Sequence, residues 1–377
     1  MSGFSATRIL AVLIKEFKQL SRDRLTYAMI LMLPVVQLML FGYAINSEPR
    51  HLPTALLVQE DSTYARSITA ALRNSAFFDL AYQARTPAEL DELLQRGEVQ
   101  FAITIPGDFS RRVARGDKAQ ILVEADASDP TATSGAVAAL AGLPQQGLSH
   151  DLHGALAQRG QNSAPFEVVV HRRYNPEGVT AYNIVPGLLG VILSMTLVMM
   201  TALSVTRETE RGTMESLLAT PVEPIEVMIG KLTPYVLVGL IQTTIILTLA
   251  AFLFHVPMEG GWAGLALGVG LFIVGSLALG FLISTAARSQ LQAMQMSFFY
   301  IMPSILLSGF MFPFRGMPLW AQAIGQAIPV THFLRVVRGA LLKGQGLAEM
   351  WPSLLALTAF VCVVTALAMA RYRRTLD

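Results

Sequence analysis

The sequence predicts a polytopic α-helical membrane protein with six transmembrane helices and an α/β extracytoplasmic domain inserted between helices 1 and 2. Three observations predict it. Hydrophobic residues make up 53% of the 377 positions and charged residues only 14%, where a soluble domain carries about a quarter charged; mean hydropathy is +0.50. Long uncharged apolar runs recur near the roughly 20 residues that cross a hydrocarbon core. Between the first two runs, residues 46–181 collect about half of the charge and alternate strand-like with helix-like stretches. A net charge of +2 provides no global field for nucleic acid. The single cysteine, Cys362, lies in an apolar run and permits no intrachain disulfide.

Residues 1–26 come first. Ile9, Leu10, Leu13, Phe17 and Leu20 fall on one helical face, with Lys15, Lys18 and Arg22 elsewhere around it. A basic amphipathic helix next to a span lies in the membrane interface; packing in a soluble core is the alternative. Leu25–Ser47 contains no charge, and the first span is expected at 27–45. The run is too long for a cleavable signal peptide, and no A-x-A site follows it. Five basic and two acidic residues precede it, so the N-terminus is expected in the cytosol.

Within 46–181, strands are expected at Ala55–Val58, Asp79–Tyr82, Val99–Ile105, Gln120–Glu124 and Phe166–Val170. Helices are expected at Thr63–Ser75, Pro87–Gln95 and Asp108–Arg115, with one or two longer ones over Ser128–Arg159 interrupted at Pro144. Thr86 followed by Pro87 is an N-cap with proline at the first helical position. The alternation suggests a compact domain on a mainly β-α-β plan.

The second to fourth spans are expected at 182–205, 232–254 and 262–286. The fifth and sixth follow at 293–312 and 350–370. Arg207, Arg211, Lys231, Arg288 and the arginines of the tail 371–377 then fall inside the cell, as the positive-inside rule requires. Arg315, Arg335, Arg338 and Lys343 fall outside. Residues 313–344, punctuated by proline and glycine, read as two short re-entrant helices with their polar ends in water. A seventh span there would leave the C-terminal arginines outside. Gly264, Gly268, Gly275 and Gly280 are spaced for close helix approach.

No Lys, Arg, Asp or Glu lies inside an expected span, which argues against a proton-coupled carrier. No GxxxxGK[ST] motif occurs, so the chain has no P-loop for ATP. His150-x-x-His153 lacks a third ligand at metal spacing. Ser149 beside His150 has no nucleophile elbow around it. No catalytic and no metal site is therefore expected.

Arg207–Lys231 is a charge-mixed island between two apolar runs. Glu208 and Arg211 can pair at i, i+3, Gly212 breaks the run, and Thr213-x-x-Ser216 opens a turn that gathers Met214, Leu217 and Leu218 before Pro221 and Pro224 end it. Such a turn suits a partner's groove. Spacing alone equally allows a connecting loop whose leucines rest on lipid.

RETERGTMESLLATPVEPIEVMIGKLTPYVLVGLIQ (207–242) closely resembles the cytosolic loop of the ABC-2 type permeases, the membrane subunits of type V ABC exporters. LLQRGEVQFAITIPGDFSRRVARGD (93–117), VEADASDPTAT (123–133), RRYNPEGVTAYNIVPGLLGVIL (172–193) and IPVTHFLRVVRGALLKG (328–344) resemble the branch with a large extracytoplasmic domain. The likeness is greatest to multidrug-efflux permeases of the Gram-negative inner membrane.

The resemblance implies two copies of a separate ATPase holding ATP and magnesium, and a second permease subunit, identical or paralogous. It also implies a periplasmic adaptor with an outer-membrane channel. The N-terminal helix becomes an interface helix touching the ATPase, and the turn after Gly212 a coupling helix. Arg207, Glu208, Glu210, Arg211, Gly212, Thr213, Glu215, Leu217, Leu218, Thr220 and Pro221 become the transmission site. Met195, Met199, Met296, Phe298 and Phe299 on spans two and five suit a polyspecific apolar path, with lipid-facing packing as the alternative. Rival readings are an ion-gradient carrier and a membrane-tethered sensor that binds a ligand through 46–181.

Overall fold

The computed structural model describes residues 49–148, 151–152, 164–210 and 224–371. The expected interface helix (1–26), the first span (27–45), residues 211–223, His150, His153 and the tail from 372 lie outside the described residues. All that is described falls in one compact unit.

The inserted domain runs β1 (Leu52–Val58), α1 (Thr63–Asn74), β2 (Phe78–Gln83), α2 (Pro87–Arg96), β3 (Phe101–Ile105), α3 (Phe109–Arg115), β4 (Ala119–Asp126), α4 (Pro130–Leu140), α5 (Leu143–Gln146) and β5 (Phe166–Arg173). Each expected strand is present. The strands order β2-β1-β3-β4-β5. The pairs β1–β2, β1–β3 and β4–β5 are parallel, while β3–β4 is antiparallel, a departure from a pure β-α-β plan.

Alternation decides the faces. Leu52, Leu56, Phe101, Ile103, Ile121 and Val123 bury one face against Ile68, Leu72 and Phe109, and Phe78 meets Phe101 edge-on at 5.2 Å. Ala55, Leu57 and Ala102 bury the other beneath Leu90 and Leu94 of α2. Each large side chain so buried contributes about 1.5–3 kcal/mol.

Local signals set the helix ends. The Thr86 hydroxyl accepts from the Glu89 amide at 3.2 Å while the Glu89 carboxylate accepts from the Arg85 amide at 2.8 Å, a reciprocal cap. Gly97 at φ 71 ends α2, a conformation glycine adopts without steric cost. The break expected at Pro144 falls instead at Ala141–Gly142, between α4 and α5. Pro144 sits in the first turn of α5, where its missing N–H costs nothing.

Past the ends of β1 and β3, Glu60 ties the two connections together. The Glu60 carboxylate accepts from the Ser110 amide at 3.1 Å and from the Ser62 hydroxyl at 2.6 Å, and also takes the Ser110 hydroxyl. Desolvation raises its pKa, but the hydrogen bonds from Ser110 and Ser62 outweigh this and leave it below the ordinary value.

Seven α-helices follow among the described residues: α6 (Thr180–Glu210), α7 (Pro224–Phe252), α8 (Trp262–Ala286), α9 (Gln290–Leu307), α10 (Leu319–Gln326), α11 (Pro329–Leu341) and α12 (Leu347–Arg371). Four described stretches are long and apolar enough to cross a membrane: Ala181–Glu208, Leu232–Phe252, Trp262–Ala286 and Leu347–Arg371. The fifth span expected at 293–312 corresponds to α9, which begins and ends earlier. Gln290, Gln292 and Gln295 dilute its hydropathy. Ser308 caps it and Gly309, at φ 84, turns the chain. The pair expected in 313–344 is α10 and α11.

α8 is the hub, touching α6, α7, α9, α11 and α12. Its glycines explain how. A Cβ on Gly264 would meet Met350 of α12, on Gly268 Val336 of α11 at 2.7 Å, and on Gly275 Phe360 and Val361 of α12 at 3.3 and 3.2 Å. On Gly280 it would lie 2.6 Å from the Val198 carbonyl oxygen of α6. The packing reading of this spacing holds. α7 instead turns Leu237, Ile241, Ile245 and Phe252 outward, as a lipid-bordered helix does.

Two outcomes check these readings. Gly280→Leu wedges α6 from α8, is expected to cost about 1–3 kcal/mol, and should lower the yield of monodisperse protein in detergent; Gly261→Ala, where nothing lies within 4 Å, should leave it unchanged. The stabilisation from Glu60, whose folded pKa is lowered, is present above the unfolded value of about 4.3 and is lost as pH falls through the folded one. The thermal-unfolding gap between the parent and Glu60→Gln, followed by circular dichroism, should therefore narrow below about pH 4.

Candidate functional site

The last turns of α6 carry the described part of the expected transmission site. Arg207 and Glu210 are exposed and Glu208 is half-buried. Arg211, Gly212, Thr213, Glu215, Leu217, Leu218, Thr220 and Pro221 lie outside the described residues. Just above this end, α6 is anchored: Val198 and Ala202 pack with Ile283, Ala287 and Ala293 of the α8–α9 corner.

Glu210 reaches across to the start of α9. Its carboxylate accepts from the Gln290 backbone N–H at 2.7 Å and from the Gln290 side-chain amide at 2.6 Å, and Arg207 Nε donates to Gln290 Oε1 at 3.4 Å. Ser289 completes the helix start by accepting from the Gln292 amide at 3.2 Å. A carboxylate at a helix N-terminus satisfies orphan amides and complements the dipole. These bonds tie the end of α6 to the start of α9. The sequence reading singled out Glu210 and missed Gln290; the Ser289-x-x-Gln292 spacing was the available signal.

The five expected path residues divide. Met195 is exposed and Met199 half-buried on the stripe of α6 that also bears Ile184, Leu188 and Ile192. Phe298 and Phe299 are partly exposed on α9, with Leu291 and Met294. Met296 packs instead against the Val198–Ala202 cluster.

At the opposite end, the α/β domain is seated on the bundle by polar contacts that sequence reading did not pair. Lys343, after α11, pairs with Asp126 at the end of β4, the two side chains 11% and 8% exposed. Its ammonium also lies 5.5 Å from the Tyr174 ring centroid. Arg338 of α11 bonds Asn183 and approaches Asp129 at 3.8 Å. Gln345 donates to the Gln95 carbonyl, and Arg315 donates to the Gly97 carbonyl at 2.9 Å. Burial first, then the charge of Asp126, pushes the Tyr174 phenol well above its usual pKa. Tyr174 adopts φ 69, an uncommon conformation for a bulky residue, where β5 turns towards α6. The turn is braced by Asn175, which accepts from the Val179 amide at 2.8 Å and donates to the Val179 carbonyl at 3.0 Å. Among the described residues no group of three or more His, Cys, Asp or Glu side chains could hold a metal.

The family model described as ABC-2 family transporter protein matches residues 24–370. The chain belongs to the ABC-2 transporter family. Its relatives include the probable multidrug ABC transporter permease YbhS of Escherichia coli (strain K12), 30% identical over 98% of each chain. The probable multidrug ABC transporter permease YbhR of the same strain is 27% identical over 97% of this chain and 98% of its own. The inner membrane transport permease YhhJ, also of that strain, is 29% identical over 96% of each. As an ABC-2 permease the chain is a transport protein of the membrane and not an enzyme in itself. The family places a membrane around the apolar helices and leaves the seat of the α/β domain at one end of the bundle.

Removing one partner of a buried ion pair leaves a buried charge and costs about 3–5 kcal/mol. Lys343→Met should therefore lower the thermal midpoint of the purified permease markedly. Adding Asp126→Asn to it should recover part of the loss, because contacting sites do not add.

Proposed function

We propose that the chain is the membrane-spanning subunit of an ATP-driven exporter. It moves a hydrophobic or amphiphilic, drug-like substrate out of the cytoplasm or inner membrane, with ATP and magnesium held by two copies of a separate ATPase. The observation that carries this reading is the end-to-end likeness to permeases named for multidrug transport. A second permease subunit, identical or paralogous, completes the membrane part. A periplasmic adaptor and outer-membrane channel receive the substrate on the side of the α/β domain, and both chain termini stay in the cytosol.

The geometry supports a mechanism. ATP binding closes the motor pair and displaces the coupling turn around Leu217 and Leu218. Glu210 carries that displacement to Gln290, so α6 and α9 move together against their counterparts. The exposed stripes that carry Met195, Met199, Phe298 and Phe299 then offer an adaptable apolar track. Closure shifts the inward and outward populations only by as much as the ATPase's affinity differs between them.

The test is ATP turnover and export by the assembled complex. Leu217→Asp is expected to abolish export and substrate-stimulated turnover while the permease stays folded. Normal stimulated turnover in that variant would refute the reading.

A further inference from the structure

Two arginines, Arg315 and Arg335, lie at the foot of the α/β domain, near enough for the charge of one to act on the other. Arg315 donates to the carbonyl oxygens of Gly97 and Glu98 at 2.9 and 3.4 Å. Arg335 lies 4.9 Å over the Phe314 ring and donates to Gln326 Oε1 at 3.3 Å. Among the described residues neither has a carboxylate within ion-pair distance, in contrast to Arg338 and Lys343 nearby. Phe314 is itself pinned, since a Cβ on Gly325 would lie 2.6 Å from its ring. Arg335 is exposed along its length, yet enough protein surrounds its head that desolvation, and after it the charge of Arg315, lower its pKa to about 10. Both remain cations at neutral pH, and among the described residues their repulsion is answered at contact distance by neutral oxygens and a ring face, with the charge of Asp126, already paired with Lys343, acting on Arg315 from further away.

Beside them lies α10. It buries Ala321 and Gly325 and turns Leu319, Trp320 and Ile324 outward, Leu319 at 84% exposure. Gln322 holds the helix to the Arg315 and Met317 carbonyls at 3.4 and 2.8 Å. An apolar helix face with a tryptophan, at the level where a water-exposed domain meets a membrane bundle, belongs in the interfacial layer. Planar guanidinium forks match phosphate oxygens.

We propose that Arg315 and Arg335 form a phosphodiester site filled by the headgroup of an anionic phospholipid in the leaflet next to the α/β domain, with the acyl chains along Leu319, Trp320 and Ile324. The site goes beyond the transport reading and does not depend on the identity of the substrate.

The test uses the full chain with Trp262→Phe and Trp351→Phe, which leaves Trp320 as the sole tryptophan of three, in nanodiscs of phosphatidylcholine with or without phosphatidylglycerol. Each basic residue at a membrane surface adds about fivefold to the preference for anionic lipid. Brominated phosphatidylglycerol is therefore expected to quench Trp320 at about 25-fold lower mole fraction than brominated phosphatidylcholine. Arg315→Gln with Arg335→Gln should make the two lipids equal, and the lysine pair should keep the preference. If the double glutamine variant does not fold, Arg335→Gln alone should cut the preference about fivefold. Equal quenching in the parent, or a preference that survives loss of the charge, overturns the proposal. Inorganic phosphate in neutral lipid should leave Trp320 emission unchanged; a shift that the glutamine variants abolish would assign the site to a soluble anion and overturn the lipid assignment.

Discussion

The backbone contact between α6 and α8 is the constraint on which the membrane part depends. Among lipid tails, apolar helices gain nothing by exchanging lipid for one another, so association rests on close packing. Gly280 lets α8 approach the Val198 carbonyl of α6 with no side chain between. Val198 and Ala202 then join the α8–α9 corner at Ile283, Ala287 and Ala293. With α6 held this way, its C-terminal end emerges in register with the start of α9, and the Glu210–Gln290 bonds can form. A looser α6–α8 contact would leave the end of α6 free to swing without moving α9.

The other end of the bundle is held by charge. Asp126 closes β4 and Lys343 follows α11, 217 residues later, and both are almost buried. Such a pair adds little net stability over an apolar one, but a misplaced domain would strand its charges. The pairing therefore fixes where the domain sits more than how tightly. Arg338 and Asn183 repeat the logic at the top of α6. The helix that enters from the domain and the helix beneath it are thus held to each other at the boundary.

Much of this was legible in the residues. Short β-rich stretches bounded by turn residues marked all five strands, and the glycine spacing of 264–280 foretold close packing because only glycine lets backbones meet. Three things were not legible. Pro144 reads as a helix breaker, but prolines are welcome in a first turn, and where the turn begins depends on Gly142, which spacing does not reveal. The pairing of charges was hidden as well. Arg338 and Lys343 were visible as cations on the far side, but their acids lie about two hundred residues earlier in the chain, and no local pattern connects residues that only the fold brings together. At the candidate site Glu210 stood out by its charge, while Gln290, neutral and 80 residues later, was marked only by the Ser289-x-x-Gln292 spacing of a helix start.

The antiparallel step between β3 and β4 has one more consequence. β1 and β3 run one way and β4 and β5 the other, so the domain's first strand starts and its last strand finishes at the same end of the strands. An all-parallel sheet would deliver the chain at the far end and require a return strap across its outside. With this reversal the domain is a plug with both wires at one end. It can be inserted into a helical protein, enlarged or exchanged without rerouting the helices on either side.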